Sequence, residues 1–193
     1  MRHFLKIAEG VDVIPLTLAL YQQPGLWNQH TLRTQHPGTP HAQVDDIWLR
    51  FQDMAPYETT CEVSRIVDEH ESINYPAMAA LPQARALIFR LMARVEGERL
   101  GRVLITRLAP GGAITPHVDG GAHAAYYERF HLLLQGDAGS RFRAGDEVIA
   151  MAPGECWWFD NAQEHEVVNA GALDRLTMII DIHTTTQGAS DAS

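Results

Sequence analysis

The sequence predicts a mainly β protein with a helical N-terminal part, built around a β-barrel of the jelly-roll type. Two observations lead to this prediction. Before Gly101 the clearest apolar pattern has a helical spacing, and after Gly101 short β-rich runs alternate with Gly, Pro, Asp and Asn. Strands this short, without helical insertions, favour a sandwich or barrel over a parallel α/β sheet. A chain of 193 residues fits one domain.

The helical part is defined by one strong segment, Ala80 to Val95. Its apolar residues recur at steps of three and four, namely Leu81, Ala84, Ile88, Leu91, Met92 and Val95. Pro82 suits a first helical turn, and Glu96-Gly97 ends the pattern. Residues 22–45 are rich in Gln, His, Pro and Thr and predict an irregular arm, followed by a strand over Asp46–Phe51 that completes one sheet.

The β part extends from residue 101 to residue 185. Its predicted strands are Arg102–Leu108, Ala113–Pro116, Arg129–Leu134, Ser140–Arg143, Glu147–Met151, Cys156–Phe159, His165–Asn169 and Arg175–Ile182. Gly145-Asp146 predicts a tight hairpin turn. We therefore expect a single domain over residues 1–193, with a helical and irregular part over 1–100, the jelly-roll core over 101–185 and a flexible tail over 186–193.

Composition and charge exclude several classes of function. The chain is 46% hydrophobic and 20% charged, as in an ordinary globular protein, and its net charge of −9 disfavours nucleic acid or an anionic membrane as main partner. No apolar run reaches the roughly 18 residues that span a bilayer. The N-terminus lacks a signal-peptide pattern, and Cys61 and Cys156 predict free thiols, so we expect a cytoplasmic protein.

The chemistry centres on the pair His117-Val118-Asp119. Side chains two residues apart in an extended segment point to the same face, so one imidazole and one carboxylate can hold the same ion. His165, in a second β-rich segment, can supply a third ligand. Two histidines and one carboxylate leave coordination positions open, which is the facial triad of Fe(II) oxygen chemistry. The alternative is a surface histidine hydrogen-bonded to an aspartate, because a chain with ten histidines contains chance pairs.

Arg175 lies ten residues after His165 and strengthens the metal-site hypothesis. A guanidinium that returns into the barrel needs an anionic partner, and a substrate carboxylate accepts its fork bidentately. The alternative is a surface ion pair of Arg175 with Asp174 or Glu166.

These residues, in this order, resemble the Fe(II)- and 2-oxoglutarate-dependent oxygenases. More narrowly, residues 100 to 185 resemble the aspartyl/asparaginyl β-hydroxylase branch, which also contains free-proline hydroxylases. The similar stretches are Thr106–His117, Arg129-Phe-His131, Gly154-Glu155 with Phe159-Asp160, and His165-Glu166-Val167.

The resemblance implies a double-stranded β-helix with Fe(II), 2-oxoglutarate and O2 as cofactor and co-substrates. It implies that His117, Asp119 and His165 hold the iron and that Arg175 binds the distal carboxylate of 2-oxoglutarate. It further implies that Arg129, His131 and Thr106 line the same pocket. Members of the branch can lack the carboxylate ligand, whereas Asp119 is present here. The implied partner is a small molecule or an amino-acid or peptide substrate.

Two other functions fit parts of the pattern. A cupin-like metalloenzyme that does not use 2-oxoglutarate would have no use for Arg175, and a non-enzymatic metal- or ligand-binding barrel would need neither the arginine nor all three ligands. The loop over residues 120–128 follows the His-Asp pair and is interpreted either as a lid or as solvated surface. The sequence predicts no oligomeric state.

Overall fold

Two antiparallel sheets face each other in the computed structural model, which describes residues 1–56 and 70–185. The strands are β1 Phe4–Ala8, β2 Val44–Phe51, β3 Ile73–Asn74, β4 Gly97–Leu108, β5 Ala113–His117, β6 Glu128–Gln135, β7 Ser140–Ala144, β8 Glu147–Ile149, β9 Cys156–Phe159, β10 His165–Asn169 and β11 Arg175–Thr184. The helices are α1 Ile14–Gln22, a 3-10 turn Pro24–Leu26, α2 Leu32–Gln35, α3 Pro76–Ala80, α4 Pro82–Arg94 and α5 Gly121–Tyr126.

The sheets are unequal in size. The larger has seven strands in the order β1-β9-β6-β11-β4-β2-β3, and the smaller has four in the order β5-β10-β7-β8. Neighbours in sequence are mostly not neighbours in the sheet, because the chain crosses between the two sheets. Every pair of adjacent strands is antiparallel. The predicted mainly β, jelly-roll fold class is confirmed.

Alternation along β11 shows how the larger sheet separates core from site. Leu176, Met178 and Ile180 join the hydrophobic cluster that lies between this sheet and the helices. Arg175 and Asp181 are also buried but lie on the opposite face, because successive side chains of a strand point to opposite sides. The face directed at the smaller sheet therefore carries the polar residues.

The predicted helix over 80–95 is confirmed as α4, with Pro82 at its first position. Ala84, Ile88 and Leu91 are buried and pack on the larger sheet, whereas Phe89 points outward and is 57% exposed. The helical period thus places one apolar stripe on the sheet and leaves the other side in water.

The described part of the first hundred residues contains more strands than predicted. The predicted strand Asp46–Phe51 is confirmed within β2, which joins the larger sheet beside β4. Strand β1 was not predicted, and it pairs with β9, whose residues lie about 150 positions later. Its five residues have no clear alternation, since Phe4 alone is buried, so its extended form depends on this distant partner.

Some of the remaining predictions are confirmed, and others lie outside the described residues or stay predictions. The Gly145-Asp146 turn joins β7 to β8, with Gly145 at φ +56°, a backbone conformation that favours glycine. Cys156 is a free, buried thiol. Cys61 and the tail over 186–193 lie outside the described residues. No described helix is long and apolar enough to cross a membrane. The single domain and the cytoplasmic location stay predictions.

Candidate active site

His117 and His165 lie directly opposite each other on strands β5 and β10. Their ring centroids are 4.2 Å apart. Asp119, two residues beyond His117, places its carboxylate oxygens 3.8 Å from His117 Nε2 and 3.7 Å from His165 Nε2. One ligating atom from each residue lies within 4.8 Å of the others, so the three can share one ion. The structure thus brings together the three residues predicted as ligands.

The backbone holds both imidazoles in an orientation suited to metal binding. His117 Nδ1 lies 2.7 Å from the Thr115 carbonyl oxygen, and His165 Nδ1 lies 2.9 Å from that of Gln163. A carbonyl oxygen only accepts, so each Nδ1 donates its proton, and the neutral ring keeps a lone pair on Nε2. Burial lowers the pKa of His165, although Asp119 opposes this, and the neutral ligating form is favoured.

Asp119 is held from two sides. Its backbone N–H donates to the Asn161 carbonyl oxygen at 3.3 Å. Its Oδ2 accepts a hydrogen bond from Arg129 Nη1 at 2.5 Å. Because Asp119 follows the end of β5 rather than lying within it, these contacts and not a strand ladder determine where the carboxylate points.

Arg129 bridges Asp119 to a second carboxylate, that of Asp181. Arg129 Nε and Nη2 donate to the two oxygens of Asp181 at 2.8 and 2.9 Å. His123 Nε2 lies 3.0 Å from Asp181 Oδ2. Asp181 and His123 are 1% and 2% exposed, so the pair is almost completely dehydrated. Residues 120–128, considered as a lid, thus include the buried residues His123 and Tyr127.

A cavity of about 270 Å³ adjoins the three candidate ligands. Arg129 and His131 form part of its wall, and Phe142, Phe159 and Val167 are among its apolar residues. Four residues of the arm, Arg33, His36, Pro40 and His41, also line it. The His41 ring is 5.0 Å from that of His117, and burial holds the pKa of His41 well below its usual value.

Arg175 lies inside the barrel and is 4% exposed. Its Nη1 donates to Thr177 Oγ1 and its Nη2 lies 3.6 Å from Met151 Sδ. Neither Asp174 nor Glu166 pairs with it, and Glu166 is bound by Arg143 instead. Within the described residues Arg175 has no carboxylate partner. Burial lowers its pKa to about 10, so it still carries a positive charge at neutral pH.

The predicted pocket residues follow one another along the inner face of the larger sheet. On β11, Asp181 pairs with Arg129, Ile179 with His131, and Thr177 with both Leu133 and Thr106. Arg175 comes next, beyond the Phe142 ring, whose centroid is 6.0 Å from its guanidinium carbon. His131 stacks on the same Phe142 ring, with the two ring centroids 5.0 Å apart. The row runs from the ligating cluster at one end to Arg175 at the other.

His131 and Thr106 are both buried, at 6% and 4% exposure. Burial and the nearby charge of Arg175 hold the pKa of His131 well below its usual value. His131 Nδ1 is buried without a hydrogen-bond partner among the described residues. Thr106 Oγ1 lies 3.4 Å from the Thr177 carbonyl oxygen. An unpaired nitrogen and an unpaired guanidinium charge in one buried row are what an anionic ligand would satisfy.

Sequence reasoning missed Thr177, Asp181 and His123. The first two share a face of β11 with Arg175, so the two-residue period of a strand starting at Arg175 could have found them. His123 offered no such signal, because its contact with Asp181 spans 58 residues of chain.

Comparison with known proteins identifies the family. The family model described as aspartyl/asparaginyl β-hydroxylase matches residues 20–185. The chain belongs to this family. The match includes all seven predicted site residues and extends far beyond the stretch over which the resemblance was visible in the sequence. The predicted family is confirmed, and the protein is an Fe(II)- and 2-oxoglutarate-dependent hydroxylase.

Solved structures share the fold of this hydroxylase at low sequence identity. A 2OG-Fe(II) oxygenase-family oxidoreductase from Burkholderia pseudomallei is 16% identical, with 85% of this chain and 77% of that chain covered and a TM-score of 0.54. A prolyl hydroxylase from Trichoplax adhaerens, in complex with a hypoxia inducible factor peptide fragment, is 11% identical, covers 100% and 89%, and has a TM-score of 0.57. A Pseudomonas putida prolyl-4-hydroxylase is 12% identical, covers 95% and 94%, and has a TM-score of 0.56. No curated protein matches the hydroxylase.

Proposed function

We propose that His117, Asp119 and His165 hold Fe(II) and that Arg175 binds the distal carboxylate of 2-oxoglutarate. The donor set supports the metal: two imidazole nitrogens and one carboxylate oxygen suit Fe(II) and leave positions open for the keto acid and O2. His131, Thr106 and Thr177 lie on the inner face between the two ends and are proposed to line the co-substrate pocket.

The observation that carries the co-substrate assignment is the burial of Arg175 without a counter-ion. A buried guanidinium is costly unless it is paired, and the described residues supply only a hydroxyl and a thioether. A dicarboxylate that reaches it would provide a bidentate, charge-assisted partner. Because Phe142 and His131 line the cavity while Arg175 lies beyond them, we infer that these two side chains move apart when the co-substrate binds.

When bound, iron and 2-oxoglutarate supply the oxidation: one oxygen atom of O2 enters the substrate as a hydroxyl group, the other enters succinate, and CO2 is released. The chain's own residues orient the bound groups and exclude water from them. The carbonyl groups of Thr115 and Gln163 accept from Nδ1 of the two imidazoles and thereby direct their Nε2 atoms towards the metal. The apolar wall that includes Phe142 and Phe159 excludes water from the co-substrate side.

The substrate is proposed to be an amino-acid side chain or a small metabolite. A cavity of about 270 Å³ is small for a ligand pocket, which typically measures about 300–1,000 Å³, and part of it must hold 2-oxoglutarate. Arg33 lines the wall, and its Nη2 is buried without a hydrogen-bond partner among the described residues. Arg33 Nε already pairs with Asp46 Oδ2 at 2.7 Å, and the remaining Nη2 is the donor that we propose for a substrate carboxylate, free or within a short peptide.

The first test is an anaerobic titration of the protein with Fe(II) and then 2-oxoglutarate. A weak visible charge-transfer band is expected only when both are present, because it arises from the keto acid chelating the metal. If the Arg175→Ala variant forms the band at the same 2-oxoglutarate concentration as the wild type, the metal site is supported but Arg175 does not bind the co-substrate.

The second test addresses the substrate. Succinate release above the uncoupled background is measured for a panel of free amino acids, short peptides and acids of similar size. We expect stimulation by members that carry a carboxylate and less stimulation of the Arg33→Gln variant by the same compound. Stimulation by neutral amides alone would contradict the acidic substrate class.

A further inference from the structure

All three guanidinium nitrogens of Arg129 donate to carboxylates, and two carboxylates share these contacts. Nη1 donates to Asp119 Oδ2, while Nε and Nη2 form a fork with the two oxygens of Asp181. The resemblance to known hydroxylases implies that Arg129 faces 2-oxoglutarate. In this chain its donors are directed at the carboxylate of a ligating residue and at a second acid behind it.

The second acid is itself held in place. Asp181 lies within β11, directly opposite Arg129 on β6, so the sheet register brings the two side chains together. His123, from helix α5, contacts Asp181 Oδ2 and closes the group on the other side. Burial by itself would raise the pKa of Asp181, but Arg129 and His123 hold it well below its usual value. Asp181 is therefore a carboxylate at neutral pH.

Charge explains why Asp181 matters for the metal. Arg129 without a counter-ion would place a positive charge beside the ion and would compete with it for Asp119. The bidentate pair with Asp181 neutralises this charge and leaves one guanidinium nitrogen to orient Asp119. Outer partners of metal ligands commonly affect metal affinity by about 10- to 100-fold.

We propose that Asp181 and His123 are positioning residues, which act through Arg129 to orient the Asp119 carboxylate for the metal. This inference rests on the proposed function, because it takes Asp119 to be a ligand. It assigns Arg129 to the ligand carboxylate rather than to the co-substrate. Neither Asp181 nor His123 belongs to the group of candidate ligands.

The principal test measures the affinity of the full-length protein for Co(II) alone, by visible absorbance without 2-oxoglutarate. Asp181→Asn keeps the shape of the side chain but removes its charge, so Co(II) affinity should fall by about 10- to 100-fold. The matched control is Asp45→Asn, which changes an arginine–aspartate pair elsewhere in the same sheet, where Asp45 Oδ2 accepts from Arg107 at 2.9 and 2.6 Å. It should bind Co(II) as the wild type does.

A second pair of variants covers the case in which Asp181→Asn does not fold. His123→Gln retains an N–H that can donate to Asp181, whereas His123→Ala does not. Co(II) affinity should stay near the wild-type value for glutamine and should fall for alanine. Equal affinities for the two variants would overturn the proposed part played by His123.

Arg129→Lys separates positioning from co-substrate binding. Lysine keeps the charge but cannot bridge two carboxylates with a planar fork, so Co(II) affinity should fall while 2-oxoglutarate affinity, measured at saturating metal, should not. Adding Asp181→Asn to this variant should lower Co(II) affinity little further, because both act through one contact. Fully additive losses, or a loss confined to 2-oxoglutarate binding, would overturn the proposal.

The results also distinguish this proposal from the proposed function. If the wild-type protein does not bind Co(II), both the proposed metal site and the positioning proposal are wrong. Wild-type binding, together with an Asp181→Asn variant that is less stable to heat but binds Co(II) normally, would remove the positioning proposal alone.

Discussion

His117 and His165 are direct cross-strand partners on the antiparallel strands β5 and β10, and their Nε2 atoms face the same aspartate. A slip of one residue in this register would turn one imidazole to the other face of the sheet. The metal-binding geometry therefore depends on the pairing of two strands about 50 residues apart in the chain.

Removal of one ligand tests this geometry. His165→Ala should reduce Co(II) affinity by more than the roughly 100-fold that the loss of an outer partner produces, because a direct bond to the metal is lost. The measurement is Co(II) titration by visible absorbance. His183→Ala is the control, since His183 contacts the Tyr126 carbonyl outside the cluster. Equal affinities for the two variants would exclude His165 as a ligand.

Substitution of Arg175 should weaken 2-oxoglutarate binding and leave metal binding unchanged. Arg175→Lys keeps the charge but loses the planar fork, and Arg175→Ala leaves the distal carboxylate unpaired. The cost of the alanine variant should be about 2–5 kcal/mol, or roughly one and a half to three and a half decades in affinity. Pyruvate, which has no distal carboxylate, should bind the alanine variant relatively better.

The measurement is 2-oxoglutarate affinity at saturating metal for the wild type and both variants. Arg107→Lys is the matched control, because Arg107 pairs with Asp45 away from the site. If 2-oxoglutarate affinity is the same in all four proteins, Arg175 does not bind the co-substrate.

Stability should fall in acid, in part because of His131. Its pKa in the folded protein lies well below the usual value, owing to burial and to Arg175, whereas in the unfolded chain it is about 6.5. Below pH 6.5 His131 binds a proton in the unfolded state but not in the folded state. The free energy of unfolding should therefore decrease as pH falls, by at most about 1.4 kcal/mol per pH unit from this group.

The measurement is urea unfolding of the metal-free protein at several pH values between 5 and 8. His131→Gln, which cannot take up this proton, should reduce the slope below pH 6.5. Ile88→Ala, which destabilises the core without removing a titrating group, serves as control and should keep the wild-type slope. Parallel curves for all three proteins would contradict the assignment.

Two adjacent residues of α4 test its packing on the larger sheet. Ile88 is 1% exposed and Phe89 is 57% exposed. Ile88→Ala should lower the free energy of unfolding by about 2–5 kcal/mol, because it opens a cavity in the core. Phe89→Ala should change it by about 0.5 kcal/mol or less. Chemical denaturation of both variants measures the difference, and similar losses would show that the stripe on α4 does not determine the packing.

The sequence predicted those features that depend on local order. The spacing of Leu81, Ala84 and Ile88 shows a helix face, and the strand after Arg175 shows a two-residue alternation. His117 and Asp119 lie close in the chain, so their shared face follows from backbone geometry. The sequence alone likewise indicated the residue types of the site, namely two imidazoles, one carboxylate and one arginine.

Only the tertiary structure decided which distant groups meet. Strand β1 is extended because β9 provides its hydrogen bonds. Arg129 is directed at Asp119 because Asp181 lies opposite it in the sheet and His123 closes the group from α5. The contacts of Arg129 and His123 join residues 10 to 58 positions apart and depend on burial, which strengthens charge pairs that water would otherwise weaken. The burial of these groups cannot be predicted from composition and residue spacing.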